Sequence, residues 1–331
     1  MILDQRPHGD RFTISVVAPL YNEENNLEPF LKRLERVFER IGCEWEVVFA
    51  MDPSPDRTEE VVKDFIRKGY PIRLIKFSRR IGKPLSVMAG LNESRGDATV
   101  VIDVDLQDPP ELISDMVRKW VEGYKVVLAQ RISRRGENIC YLAAARCFYW
   151  LASKFSEYPI HKDTGDFRLL DSRVVNELKK FNERHAFLRG LTAAVGFETA
   201  VIPFSRDERY SGRTNISVSS AFNIALDGLI PFSRAPVRII FFVGGVLFLI
   251  GVICAASWAV SSFFYGMSIH WPLILLICLQ LIVGGIAVAG LGVLGEYVVR
   301  VYEEVRRRPL YVVEDVIESE VLIERRKQAS T

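Results

Sequence analysis

The chain has 331 residues, 43 basic and 41 acidic, for a formal net charge of +2. So even a balance offers no basic surplus to a phosphate backbone, and no nucleic-acid partner is expected. The five cysteines, Cys43, Cys140, Cys147, Cys254 and Cys278, are odd in number and form no C-x-x-C pair, which argues against a disulfide framework or zinc site and fits a reducing compartment.

The first residues, MILDQRPHGDRF, lack an apolar signal core, so nothing is expected to export the domain that follows. Strand and helix signals then alternate. A β-branched run at 13–18 predicts a strand. Leu27, Phe30, Leu31, Leu34, Val37, Phe38 and Ile41 recur at helical spacing, and Gly42 ends that helix. Strands are predicted at 46–50, 72–77, 99–103 and 125–129, with helices at 57–68, 83–94 and 110–121. Such alternation predicts an α/β domain over 1–235, a mostly parallel sheet covered by helices. Ligands bind such sheets at the carboxyl ends of the strands. Asn22-Glu23-Glu24, Asp52 and Asp103-Val-Asp105 all fall at such ends.

Two further segments, 139–155 and 217–232, are apolar enough to be either core helices or helices lying in a membrane interface. Residues 239–295 then run for 57 positions without an Asp, Glu, Lys or Arg. The apolar stretches at about 239–264 and 271–297 each exceed the ~20 residues that cross a bilayer, so a transmembrane hairpin within 236–298 is expected. Glycines along both stretches would allow close helix packing. Arg234 and Arg238 precede the block, Arg300 and Arg306-Arg307-Arg308 follow it, and the intervening turn has no Lys or Arg. Positive-inside bias predicts an inner or plasma-membrane protein with both termini, the first domain and a basic tail at 299–331 in the cytoplasm.

On a strand, Asp103 and Asp105 would share a face, with Val104 opposite. Two adjacent carboxylates suit Mg²⁺ or Mn²⁺, which completes its shell with water and substrate phosphates. Solvated strand-end acids would read the same way.

The ordered segments Val17-Ala-Pro-Leu-Tyr-Asn-Glu-Glu24, Asp52-Pro-Ser-Pro-Asp-Arg-Thr58, Phe77-Ser-Arg-Arg-Ile-Gly-Lys83 and Val101-Ile-Asp-Val-Asp-Leu-Gln-Asp-Pro-Pro-Glu111 resemble glycosyltransferase family 2, in particular its polyprenyl-phosphate enzymes. Asp163-Thr-Gly-Asp-Phe-Arg-Leu169 and the apolar block resemble the bactoprenol glucosyltransferase branch. The resemblance spans about 14–310. It implies a GT-A, Rossmann-like nucleotide-sugar domain. Pro19, Tyr21, Asn22, Glu23 and Asp52 would line the base and ribose pocket, with Lys83 approaching the nucleotide. Asp103 would meet ribose or metal, Asp105 metal and diphosphate, and Gln107 the sugar. It also implies a polyprenyl phosphate acceptor, a homo-oligomer such as a tetramer, and single-hexose transfer from UDP-glucose. A GDP-mannose-using polyprenyl-phosphate mannose synthase is the alternative enzyme, and an inactive membrane scaffold the alternative of another class.

The chain departs from the family pattern in two places. Met51 stands where many members carry a second acid before Asp52. In Arg209-Tyr-Ser-Gly-Arg-Thr-Asn215, Thr214 and Asn215 replace Ser and Lys. Arg131, Arg206 and Arg209 are the acceptor-phosphate candidates, Arg being suited to forked phosphate contacts; Arg134, Arg135 and Arg213 lie near them in sequence. A phosphate monoester, with a second pKa of ~6, attacks largely as the dianion. Asp166 is the candidate for a residual base, an orienting group or a turn residue.

Overall fold

The computed structural model describes residues 12–132, 164–181, 188–205, 270–306 and 308–329, with separate positions between 240 and 263. Its centre is strand β1 (Thr13–Leu20), whose β-branched run is buried on both faces, as a strand inside a parallel sheet must be. Helix α1 (Leu27–Ile41) buries the seven apolar residues read from its spacing and ends at Gly42, φ 74°, whose N–H donates to Phe38 O at 2.9 Å. The chain continues through β2 (Glu44–Met51), α2 (Thr58–Arg67), β3 (Ile72–Phe77), α3 (Lys83–Glu93) and β4 (Ala98–Val101). A single 3₁₀ turn leads into α4 (Ile113–Val121), followed by β5 (Val126–Arg131), β6 (Thr164–Asp171), α5 (Ser172–Leu178), α6 (Leu188–Val195) and β7 (Thr199–Phe204). After α7 (His270–Val305) come β8 (Val313–Glu318) and α8 (Glu320–Ala329).

The eight strands form one sheet in the order β7-β5-β6-β4-β1-β2-β3-β8. β4, β1, β2 and β3 are parallel to one another, so their carboxyl ends share one edge. β6 runs antiparallel to β4 and β5, and β7 parallel to β5. This is the GT-A-like arrangement expected. α3 crosses β1 with almost no separation: a Cβ on Gly90 would stand 2.4 Å from Val17 Cγ1. Only glycine lets the helix lie that close, and the closeness fixes where α3 begins.

The last residues differ from the expected tail. β8 pairs antiparallel with β3, placing Arg73 opposite Glu318. Tyr311 packs edge-on against Phe77 at 5.5 Å and accepts from Asn92 Nδ2 at 3.0 Å. Sequence reading missed β8 because three of its six residues are acids and most of the strand is exposed.

The chain divides into two compact units. The first contains the sheet together with Pro309–Thr331, and the second takes in Gly228–Arg308. Within the second, α7 has 36 residues, and its Ile282–Val305 stretch is long and apolar enough to cross a membrane, the one such helix among the described residues. A shorter apolar helical stretch occupies Val243–Ile253. Part of the first expected span, and the segments 139–155 and 217–232, lie outside the described residues.

Candidate active site

At the shared edge of the parallel strands, four loops are stitched together. After β1, Asn22 takes a left-handed φ of 57°, tolerable for Asn. Its N–H donates to Ser54 Oγ at 3.2 Å, and the next two amides donate to Thr58 Oγ1 at 2.9 Å and Asp56 Oδ2 at 3.2 Å. Glu23 accepts from Asn26 Nδ2 at 2.5 Å. These bonds bind the β1 loop to the β2 loop. Asp52, 3% exposed, in turn grips the β3 loop, its two carboxylate oxygens accepting from Ile81 N at 2.9 Å and Gly82 N at 3.0 Å. Gly82, at φ 86°, then starts α3. The Arg80 guanidinium lies 3.9 Å from the Tyr21 ring centroid, a stacked pair at the rim. Pro19, Tyr21, Glu23 and Asp52 therefore share one corner.

The fourth loop follows β4. The strand ends at Val101 and not at Asp103, so pleat alternation does not orient the two aspartates. A local turn does. Leu106 sits at φ 61°, a strained position for an apolar residue that costs ~1–2 kcal/mol; its side chain is buried. Asp105, 4% exposed, accepts at Oδ1 from Gln107 N at 3.2 Å, closing the turn.

Asp103 meets the first residue of α3. Lys83 Nζ stands 2.7 Å from Asp103 Oδ2 and 3.1 Å from Asp166 Oδ2, bridging carboxylates from two different strands' surroundings. Arg189, on α6, holds the other Asp166 oxygen at 3.1 Å. Asp166 lies within β6 and not at a turn. Behind it Arg168, 1% exposed, donates to Gly165 O, Asp166 O, Leu188 O and Thr192 Oγ1 at 2.7–3.3 Å. One guanidinium thus ties β6 to α6 and so sets Arg189 against Asp166. Arg131 stands 3.6 Å from Asp108 Oδ1 and packs against Gly165. Arg168 and Arg189 also line a cavity of about 250 Å³ with Leu128, Thr164, Thr192 and Phe197.

The charges follow from this geometry. Burial works against the charged form of Asp166, but Lys83, Arg189 and Arg168 outweigh it and hold the carboxyl well below the carboxylate range. Burial likewise opposes the charge on Lys83, yet Asp103 and Asp166 hold it above its ordinary value. Arg168 is pushed down to about 10 by burial, against the pull of Asp166.

The edge brings together Tyr21, Glu23, Asp52, Lys83, Asp103, Asp105, Gln107, Asp166 and Arg131 from the sequence reading. Arg206 and Arg209 lie outside the described residues. Sequence reading missed Arg80, Arg189 and Arg168. Only Arg168 had a signal, since Asp166 and Arg168 alternate on one strand face. A lysine ammonium already occupies the space beside Asp103, so the cluster accepts a cation. With Asp105 it supplies two carboxylates, and no group of three or more potential ligands occurs among the described residues. Such a donor set fits Mg²⁺ or Mn²⁺, whose remaining positions fall to water and substrate oxygens.

Residues 15–179 match the model of the glycosyl transferase family 2 domain. A prophage bactoprenol glucosyl transferase homolog of Escherichia coli is 36% identical over 303 residues, 92% of this chain and 99% of that one. The chain belongs to glycosyltransferase family 2. Other family relatives include a glycosyltransferase of Synechocystis sp., 38% identical over 92% of this chain and 95% of its own length. The bactoprenol glucosyl transferase of Shigella phage SfII is 35% identical over 91% and 97%. Among solved structures, glucosyl-3-phosphoglycerate synthase from Mycobacterium tuberculosis with Mn²⁺, UDP and phosphoglyceric acid is similar at 19% identity and a TM-score of 0.48, covering 69% of this chain and 81% of that one. The edge described above is thus the candidate active site of a family 2 glycosyltransferase.

Proposed function

We propose that the protein transfers a single hexose, glucose from UDP-glucose, to a polyprenyl phosphate of the undecaprenyl type, with inversion, at the cytoplasmic face of a membrane. The observation that carries this reading is the junction of Lys83, Asp103 and Asp166 at the strand ends, backed by a cationic wall of Arg189 and Arg168. Relatives named as bactoprenol glucosyl transferases, matching along nearly the whole chain, support the acceptor and the sugar. The uncharged 57 residues and the apolar helix α7 support a membrane-held enzyme whose lipid acceptor arrives from the bilayer. The tetramer remains part of this proposal, on the resemblance alone.

Each residue has a role in that chemistry. Tyr21 and Arg80 offer a flat platform for the base, and Asp52 shapes the loop beneath it. Asp103 and Asp105 would hold Mg²⁺ or Mn²⁺, which when bound would neutralise charge on the leaving diphosphate. Lys83, the first residue of α3, would meet the same anion. Gln107, two residues beyond Asp105 and bonded to it through its N–H, would face the sugar. Arg189 and Arg131, with Arg206 and Arg209, would hold the acceptor phosphate. Its dianion needs no base, so orientation and charge do the catalysis. Asp166, ionised and triply opposed by cations, is better suited to orient sugar and acceptor than to take a proton.

The test is a radiolabelled donor panel, UDP-glucose and GDP-mannose included, against undecaprenyl phosphate with Mg²⁺ or Mn²⁺. Glucose transfer should depend on the divalent ion and vanish in Asp105→Ala. Transfer from GDP-mannose alone would replace the donor, and full activity in excess chelator would remove the metal assignment.

A further inference from the structure

Lys83 is placed oddly for a residue whose only task is to meet a nucleotide. Its ammonium is already committed to Asp103 at 2.7 Å and Asp166 at 3.1 Å. The side chain is nevertheless 43% exposed, against 25% for Asp103 and 28% for Asp166, so it is free to swing towards a ligand entering from solvent. The two carboxylates are not equivalent. Asp166 keeps Arg189 at 3.1 Å if Lys83 departs, whereas Lys83 is the one ion-pair partner of Asp103 among the described residues. Removing the ammonium therefore leaves Asp166 neutralised and Asp103 bare.

We infer that Lys83 is a built-in counter-cation that occupies the divalent-ion position at Asp103 until a nucleoside diphosphate draws it away, so that metal and nucleotide enter together. The inference rests on the metal and nucleotide reading above. Its physical basis is competition. While the ammonium neutralises Asp103, a free divalent ion must displace a cation to gain that carboxylate. A diphosphate offers Lys83 an anion of higher charge, releases Asp103, and supplies oxygens for the ion's shell. When the sugar has left, the diphosphate carries one more negative charge than the sugar nucleotide did. The lysine, already turned to it, answers that charge. The same device keeps Asp103 and Asp166 from repelling one another in the resting site, and limits unproductive binding of a bare metal ion.

The experiment measures Mn²⁺ binding by the full chain in detergent, by electron paramagnetic resonance of free Mn²⁺, with and without UDP. For the wild type, UDP should tighten Mn²⁺ binding at least tenfold. Lys83→Met should bind Mn²⁺ without UDP at least tenfold more tightly than the wild type, and UDP should add little. Lys83→Arg, which keeps a cation beside Asp103, should behave as the wild type and separates loss of charge from damage to the fold. Equal Mn²⁺ affinity of the wild type and Lys83→Met without UDP, in protein that still binds UDP, overturns the counter-cation while leaving the metal site intact. Absence of Mn²⁺ binding by the wild type even with UDP overturns it too, and takes the metal reading with it.

Discussion

Arg73 and Glu318 lie 245 residues apart in the chain and 2.8 Å apart in the fold, a part-buried pair on facing positions of β3 and β8. Arg73 is 1% exposed and reaches Glu46 at 3.3 Å as well. The pair belongs to a network at the amino-terminal ends of the strands, opposite the chemistry, where Ser15 donates to Glu46 at 2.6 Å and Arg95 and Arg326 close on Glu318. The polypeptide that leaves α7 is therefore bound back into the catalytic sheet. Glu318→Ala opens a part-buried ion pair and should cost about 3 kcal/mol, the low end for such a loss because Glu46 remains. Limited proteolysis would check it: cleavage within 309–331 should accelerate while the rest of the sheet stays resistant.

The same pair makes the sheet's edge acid-sensitive. Burial raises the Glu318 carboxyl, but hydrogen bonds from Arg73 and Arg326 outweigh it and hold it below its ordinary range. A depressed acid stabilises the fold above its unfolded pKa of ~4.3 and loses that contribution as pH falls through the folded value. Exchange of the β8 amides, corrected for intrinsic rate, should stay slow from neutrality to about pH 5 and rise below about pH 4. Glu318→Gln should exchange quickly already at neutral pH, with little further change in acid.

The parts of the fold that sequence made legible are those where burial is two-sided or strictly periodic. The β-branched core of β1 and the apolar stripe of α1 are of this kind. β6 escaped notice because Asp166 and Arg168 interrupt its apolar pattern, and both are there for the site. β8 escaped because its acids look solvated until Arg73 is seen across from Glu318. In the site, sequence marked the acids at strand ends, since that is where open parallel sheets bind their ligands. It could not show that Lys83 joins Asp103 to Asp166, or that Asp52 spends both oxygens on backbone amides, because those depend on contacts between loops distant in the chain.

Gly90 tests how α3 is aimed. A Cβ there would meet Val17 Cγ1 at 2.4 Å, a fully buried side chain in the middle of β1. Gly90→Ala should cost ~1–3 kcal/mol by overpacking and shift α3 away from the sheet, carrying Lys83 with it. UDP affinity should fall even where the protein remains folded. Val17→Ala combined with Gly90→Ala returns the space, so the double variant should regain most of both stability and affinity by calorimetry. A double variant no better than the single one would mean that the close approach does not set the helix.

Asp166 discriminates between two kinds of chemistry. Three cations around it hold the carboxyl far below its usual range, and Arg189 and Arg168 stay beside it when Lys83 turns to a nucleotide, so it remains ionised at the pH of an assay. A group so poorly basic gains little by accepting a proton, whereas its fixed negative charge can orient Arg189, the sugar and the acceptor. The acid limb of the rate should then belong to the acceptor phosphate, with a midpoint of ~6. Asp166→Asn should lower the rate by about 10²-fold, in the range for loss of one preorganised electrostatic contact, at all pH values alike, and leave that midpoint in place. Profiles of kcat/KM against pH for both proteins decide it. Disappearance of the acid limb in the asparagine variant would make Asp166 the base after all, and Arg189, which stays on it when Lys83 leaves, would then also have to move away before the sugar is transferred.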